Sequence, residues 1–322
     1  MRIAAALIAM LAFAAPARAE PLAYVTQQGD DSVAIVDLAQ MRVVETVKVG
    51  KKPAGVAVAP GGSRIYVTNP EGRSVSMIER GGDGRHAVKA ETPVGQGPLG
   101  IALDPSGVRL FVADWHGDSV HVLDAATLAP LATVKVGASP SGMTTDPKGA
   151  RLYVADRESD SVSVVDLATL QRIAQAPVGR APFGLAYDAA GGGDGRARLF
   201  VANVQSSDVS VLDAATLKEL RRVKVRSFPY GVAPTADGGR VFVTNQHDGS
   251  ISVLDGRSYE EIAALRVCDY PEGVLVAPDQ RHVLAACWAD DAFVAIDATT
   301  LKLDAKLALR SGPRAFGQFI AP

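Results

Sequence analysis

The chain repeats itself on a fixed period. A Pro-x-Gly tripeptide or near variant recurs as Pro53-Ala54-Gly55, Pro98-Leu99-Gly100, Pro140-Ser141-Gly142, Pro182-Phe183-Gly184, Pro229-Tyr230-Gly231, Pro271-Glu272-Gly273 and Pro313-Arg314-Ala315, at spacings of 45, 42, 42, 47, 42 and 42 residues. An acidic residue keeps step with it: Asp37, Glu79, Asp124, Asp166, Asp213, Asp255 and Asp297 follow one another at 42, 45, 42, 47, 42 and 42 residues. Two independent markers therefore report one period. A unit of this length built from short strands and turns predicts one propeller blade per repeat.

The unit opening at Pro140 reads as four strands. One follows Gly142, Asp146 to Gly149 turns the chain, and Arg151 to Ala155, Ser161 to Val165 and Ile173 to Val178 supply the rest. Each is short, rich in Val, Leu and Tyr, and bounded by Gly, Pro or Asp. The N-terminal Tyr24-Val25-Thr26 matches a second strand, and Phe316 to Ile320 at the other end matches a first. The expected fold is all-β, a seven-bladed β-propeller of four-stranded antiparallel blades. The C-terminal strand should join the N-terminal three and close the ring, which removes two open edges. The insert Gly191 to Arg196 reads as a loosened turn, so residues 20–322 form one domain.

Residues 1–19 read as a secretory leader: Arg2, an apolar run from Ile3 to Ala15, and Ala17-Arg18-Ala19 before the cut. The run is shorter than the roughly 18 apolar residues a membrane anchor needs. A periplasmic or secreted protein is expected, with no membrane span. In that compartment the two cysteines, Cys268 and Cys287, invite a disulfide. In the aligned repeat, Cys268 takes the slot of Gly50, Gly95, Gly137 and Gly179, and Cys287 that of Asn69 and Asp114, on the same rim.

Tyr66-Val67-Thr68-Asn69, Phe242-Val243-Thr244-Asn245 and Tyr153-Val154-Ala155-Asp156, with Val-Gly before most Pro-x-Gly units, resemble the YVTN-repeat β-propeller family. That resemblance spans the mature chain. It implies a seven-bladed propeller like those of secreted repeat proteins and of non-catalytic subunits of some periplasmic quinoprotein dehydrogenases. It implies no single activity, because one fold hosts many functions.

Several motifs have structural readings. Gly95-Gln96-Gly97-Pro98-Leu99-Gly100 spells a dinucleotide fingerprint, but a strand follows where pyrophosphate binding needs a helix N-terminus. Asp124, Asp166, Asp213, Asp255 and Asp297 each precede a Thr or Ser by three residues, the spacing of a side chain that fixes a turn. Asn69, Asp114, Asp156, Asn203 and Asn245 read the same way. Signatures for zinc hydrolysis, a serine nucleophile elbow, covalent haem or a P-loop are absent from the sequence. No cofactor or metal is expected, and the five histidines are scattered. Lys plus Arg number 33 and Asp plus Glu 35, a net charge of −2, which argues against nucleic acid as a partner.

The loops before each first strand and after each second strand should share one rim of the channel, and there the repeat breaks its pattern. Phe183, Phe228, Tyr230 and Tyr270 flank successive prolines, while Trp115, His116, Arg157, His247 and Trp288 lie in the second loop set and Arg314 in the seventh unit. These ten form the candidate binding site, suited to a planar organic ligand or a protein partner. The expected function is a monomeric, non-catalytic binding or accessory module. The alternatives are a partner of a periplasmic quinoprotein or cytochrome system, and a lactone hydrolase or lyase using His116, His247, Glu158 or Glu272. N-terminal sequencing of the protein exported by a bacterial host should begin at Glu20; an intact Met1 on exported protein overturns the leader assignment.

Overall fold

A computed structural model describes residues 21–321. The segment expected to be a leader, residues 1–19, lies outside the described residues. Seven four-stranded antiparallel sheets are arranged as blades, six of them running in chain order from an inner first strand to an outer fourth and one taking its inner strand from the C-terminus. Blade 1 comprises residues 22–48 with 313–314, and blades 2 to 7 comprise residues 56–93, 98–135, 140–177, 182–224, 229–266 and 271–308. The second and third strands are buried on both faces, which explains their continuous apolar runs. The fourth alternates and leaves Leu131, Ile173 and Ile262 exposed.

In the unit opening at Pro140, the first strand starts at the proline itself, Pro140–Thr145, and a bulge lies between Pro140 and Met143. The proline is tolerated because it opens the strand, where its missing N–H breaks no ladder. The glycine two residues on has a steric origin. A Cβ on Gly100 would stand 1.7 Å from the Ser141 carbonyl oxygen of the next blade, one on Gly142 2.4 Å from that of Phe183, and one on Gly184 2.3 Å from that of Tyr230. The inner strands converge so closely that only glycine fits at this point.

A second contact ring lies further out. Arg151 and Tyr153, at the start of a second strand, both donate to the Ala214 carbonyl of the next blade. Arg198 donates to Gly256 and Arg240 to Ala298 in the same manner. The receiving turns are those the repeated aspartates hold: Asp213 accepts from the Ala215 and Thr216 N–H groups and the Thr216 hydroxyl at 2.8–3.0 Å. These acids are hairpin anchors, as the spacing predicts, and the turns they shape serve the neighbouring blade.

Ring closure follows the expectation with a difference in register. Pro313 and Arg314 pair with Gln27 and Thr26, and Ile320 bridges to Ala23. The pattern of blade 4, where Met143 opposes Val154 after Pro140 opposes Asp156, would bring Gln318, not Ile320, opposite Ala23. Two extra residues are therefore accommodated. The segment swings toward blade 2, where Val56 and Val58 donate to the Phe316 and Gln318 carbonyls. Gly317 permits this with φ +90°, and a Cβ there would stand 2.6 Å from the Val56 oxygen. The continuous strand expected over Phe316 to Ile320 is thus reduced to Pro313–Arg314 and one bridge, because the seventh unit carries Ala315 where the other six carry glycine.

Gly100→Ala should lower unfolding free energy by roughly 2 kcal/mol or more, the order expected of overpacking against fixed backbone. Gly82→Ala, which faces open space, should change it little. Urea unfolding of both variants checks this; equal effects would mean the close approach is not structural.

Candidate functional site

Backbone bonds knit the two loop sets into one rim. Trp115 N–H donates to the Gly97 carbonyl, Gln246 to Phe228 and Trp288 to Tyr270, each at 2.8–2.9 Å. The residue before the proline is left-handed in Lys52, Ser139, Ala181, Phe228 and Tyr270. Its N–H is held by an aspartate of the preceding blade in three of these, Lys52 by Asp31, Ser139 by Asp118 and Ala181 by Asp160. The strain belongs to the repeat, since Lys52 and Ala181 share it. The rim exploits it by mounting Phe228 and Tyr270 there.

Nine of the ten candidate residues fall into two connected groups. At the centre, Phe183 is buried and stacks on Tyr230 with centroids 4.0 Å apart. Trp115 lies 6.4 Å from Phe183, and Arg157 rests 5.7 Å over the Trp115 ring. Along the outer arc, Phe228 stacks on His247 at 3.7 Å, His247 meets Tyr270 at 5.4 Å, and Tyr270 meets Trp288 at 6.0 Å. Arg314 joins the groups, 5.8 Å over Trp288 and 5.5 Å over Phe316. His116 stays outside both groups and is exposed on its loop beside Gly97.

Two members escaped the sequence reading as binding residues. Phe316 packs edge-on against Phe183 at 5.2 Å and beside Tyr230 at 5.5 Å, completing a plug of three rings. It arrives through the register shift, whose only trace in the sequence is the Ala315-Phe316-Gly317 departure from the repeat. Glu272, considered above only as a catalytic acid, is fully buried beneath the rim. It accepts a 2.7 Å hydrogen bond from Gln246 Nε2, and its Oε2 lies 3.3 Å from Arg314 Nε. That approach is an ion-pair contact with an angle too poor for a hydrogen bond, so both atoms lack a hydrogen-bond partner. Burial pushes the Glu272 carboxyl up to about 7, with Arg314 and Gln246 drawing it partly back. The Tyr230 hydroxyl is raised by burial and then by the Glu272 charge, while Arg314 and Arg157 act in the opposite sense.

The cysteines are bonded, with Cα atoms 6.0 Å apart. The other blades explain the position. A Cβ on Gly137 would meet the Asp156 side chain at 2.4 Å, and Asp156 accepts from the Gly137 N–H. Blade 7 replaces this hydrogen-bonded pair by a covalent one, which braces the neighbouring Tyr270 and Trp288. The Asn and Asp of that slot hold the adjoining hairpin elsewhere: Asn69 donates to Ser74 and Ser76, and Asn245 to Ser250 and Ser252. Among the described residues no three His, Cys, Asp or Glu side chains gather as a metal site. No helix among them is long and apolar enough to cross a membrane.

Because Glu272 binds its proton more tightly folded than unfolded, stability should fall as pH rises from about 4.5 through about 7. The full difference is on the order of 3 kcal/mol, at 1.36 kcal/mol per pKa unit. Glu272→Gln should remove this slope in urea titrations between pH 4.5 and 8; an unchanged slope would show that another group carries it.

No protein-family model matches the chain, and no curated protein matches it. Solved structures do. A dihydro-heme d1 dehydrogenase, NirN, in complex with DHE is 18% identical with a TM-score of 0.70 over 91% of this chain and 74% of that one. A protein of unknown function from Desulfotomaculum acetoxidans DSM 771 is 13% identical with a TM-score of 0.76 over 91% and 98%. Kuenenia stuttgartiensis hydrazine synthase is 19% identical with a TM-score of 0.69 over 85% and 92%. At these identities the likeness is one of fold, the seven-bladed propeller.

Proposed function

We propose that the protein is a periplasmic, non-catalytic binding module that docks a partner protein through the aromatic rim. The observation that carries this reading is the continuous arc Phe228, His247, Tyr270, Trp288 and Arg314, in which Tyr270 and Trp288 remain 38% and 37% exposed. Large rings held rigidly, with an arginine among them, are the side chains that dominate protein interfaces. The central rings fill the channel mouth, so the arc offers a surface and not a pocket. The leader, the disulfide and the turn-fixing role of the repeated acids agree with an exported accessory protein.

A second reading places that partner in an electron-transfer system. It is supported by the dihydro-heme d1 dehydrogenase NirN and hydrazine synthase among the structural neighbours, together with the quinoprotein-subunit association of the YVTN resemblance. The arc, with Arg314 at its end and Arg157 over the central Trp115, would then receive the acidic face of a cytochrome or quinoprotein.

The test is affinity purification of tagged protein from the periplasm of its native host, comparing wild type with Trp288→Ala and Trp115→Ala. A partner recovered stoichiometrically with wild type should be reduced at least tenfold by Trp288→Ala, about 1.4 kcal/mol or more. Equal recovery, or destabilisation of both variants with no partner found, would mean the rim is only a plug.

A further inference from the structure

The same three rings that plug the rim turn the channel into a blind cavity. Below Phe183, Tyr230 and Phe316 a space of about 500 Å³ runs along the first strands and opens on the opposite face of the ring, beside Pro60, Ala236 and Gln318. Its size is that of a small-molecule site. Its chemistry is unusual for a passage lined by six blades: the walls are largely glycine and apolar stretches such as Gly100 to Leu103 and Gly273 to Val276, with Thr144, Thr145, Tyr187, Gln280 and Gln318 as uncharged polar side chains. Asp104 is the one charged side chain among the lining residues. It is buried and committed, its carboxylate accepting from Arg109 Nε, the Ser106 hydroxyl and the Val108 and Arg109 N–H groups. No charge is left to meet a ligand.

The polar capacity that remains is uncharged. Each first strand pairs on one edge only, with the second strand of its own blade. Its channel edge therefore presents backbone N–H and C=O groups, except where Val56 and Val58 bond the C-terminal segment and where the hydroxyls of Thr68, Ser141, Thr145 and Thr244 donate to the Leu99, Phe183, Leu103 and Glu272 carbonyls. A charged ligand would lose its hydration here with no counter-ion, which costs far more than these dipoles return. A neutral ligand loses only apolar hydration and gains hydrogen bonds at the strand edges. The blind end adds an aromatic floor for a ring.

We propose that this channel is a second binding site, separate from the rim, for an uncharged, mostly apolar organic molecule of drug-like size that enters from the face opposite the aromatic arc. The site depends on the C-terminal register shift, because that shift brings Phe316 into the channel and sets Gln318 at its mouth.

The probe is N-phenyl-1-naphthylamine, a neutral fluorophore, compared with 1-anilinonaphthalene-8-sulfonate, which has the same rings plus a negative charge. Wild type should bind one neutral probe per chain, with at least tenfold weaker binding of the sulfonate. Gln318→Trp and, independently, Ala236→Trp, both at exposed positions of the mouth, should weaken neutral-probe binding at least tenfold while cooperative unfolding is retained. Trp288→Ala, which touches none of the three floor rings, should leave it unchanged, so the result does not depend on the rim reading. Absence of saturable binding, equal binding of the two probes, unchanged affinity in both mouth variants, or loss of binding in Trp288→Ala would each overturn the proposal.

Discussion

The molecule depends on how closely its inner strands can approach. Around the channel, the backbone of each of six first strands passes so near a carbonyl or side chain of the next blade that a methyl group would overlap it. Glycine at that one slot lets flat sheets converge toward an axis. Everything further out, including the buried second and third strands and the arginine bonds to neighbouring turns, fills the wedge that this convergence opens. The apolar runs face both ways because every blade is covered by two neighbours.

The seventh unit breaks this rule and thereby acquires a different role. With Ala315 in the glycine slot, the terminal segment leaves blade 1, bonds the edge of blade 2 and returns to meet Ala23. The detour fills the space between blades 1 and 2 with backbone bonds on both sides. It also carries Phe316 into the channel, where the ring meets Phe183 and Tyr230. One departure from the repeat thus fills that space, plugs one mouth and leaves the other open.

Glu272 and Arg314 show how the rim is loaded. A carboxylate with no exposed surface sits beneath a guanidinium that is shared between Trp288 and Phe316. The pair is incompletely hydrogen-bonded, and burial keeps the acid near neutrality in its titration. Breaking it would leave a buried charge uncompensated, so the pair fixes the position of Arg314 more than it strengthens the fold. The disulfide fixes the adjoining Tyr270 and Trp288 by a covalent route where other blades use an aspartate or asparagine.

The period, the blade count, the strand order, the turn-fixing acids and the disulfide could all be read from residue spacing. Each is a property of one unit repeated or of one slot compared across units, and such comparisons need no coordinates. The rim location of Trp115, Phe228, Tyr270 and Trp288 was legible for the same reason. What spacing could not convey is which way side chains from different blades turn toward one another. That Phe183 and Tyr230 stack into a plug, that His116 stands apart, that Glu272 lies under Arg314, and that Phe316 closes one mouth of an apolar channel are decided only when blades far apart in sequence meet about a common axis. Those meetings follow from ring closure, which the repeat predicts, and from a two-residue shift after Arg314 that no periodic pattern encodes.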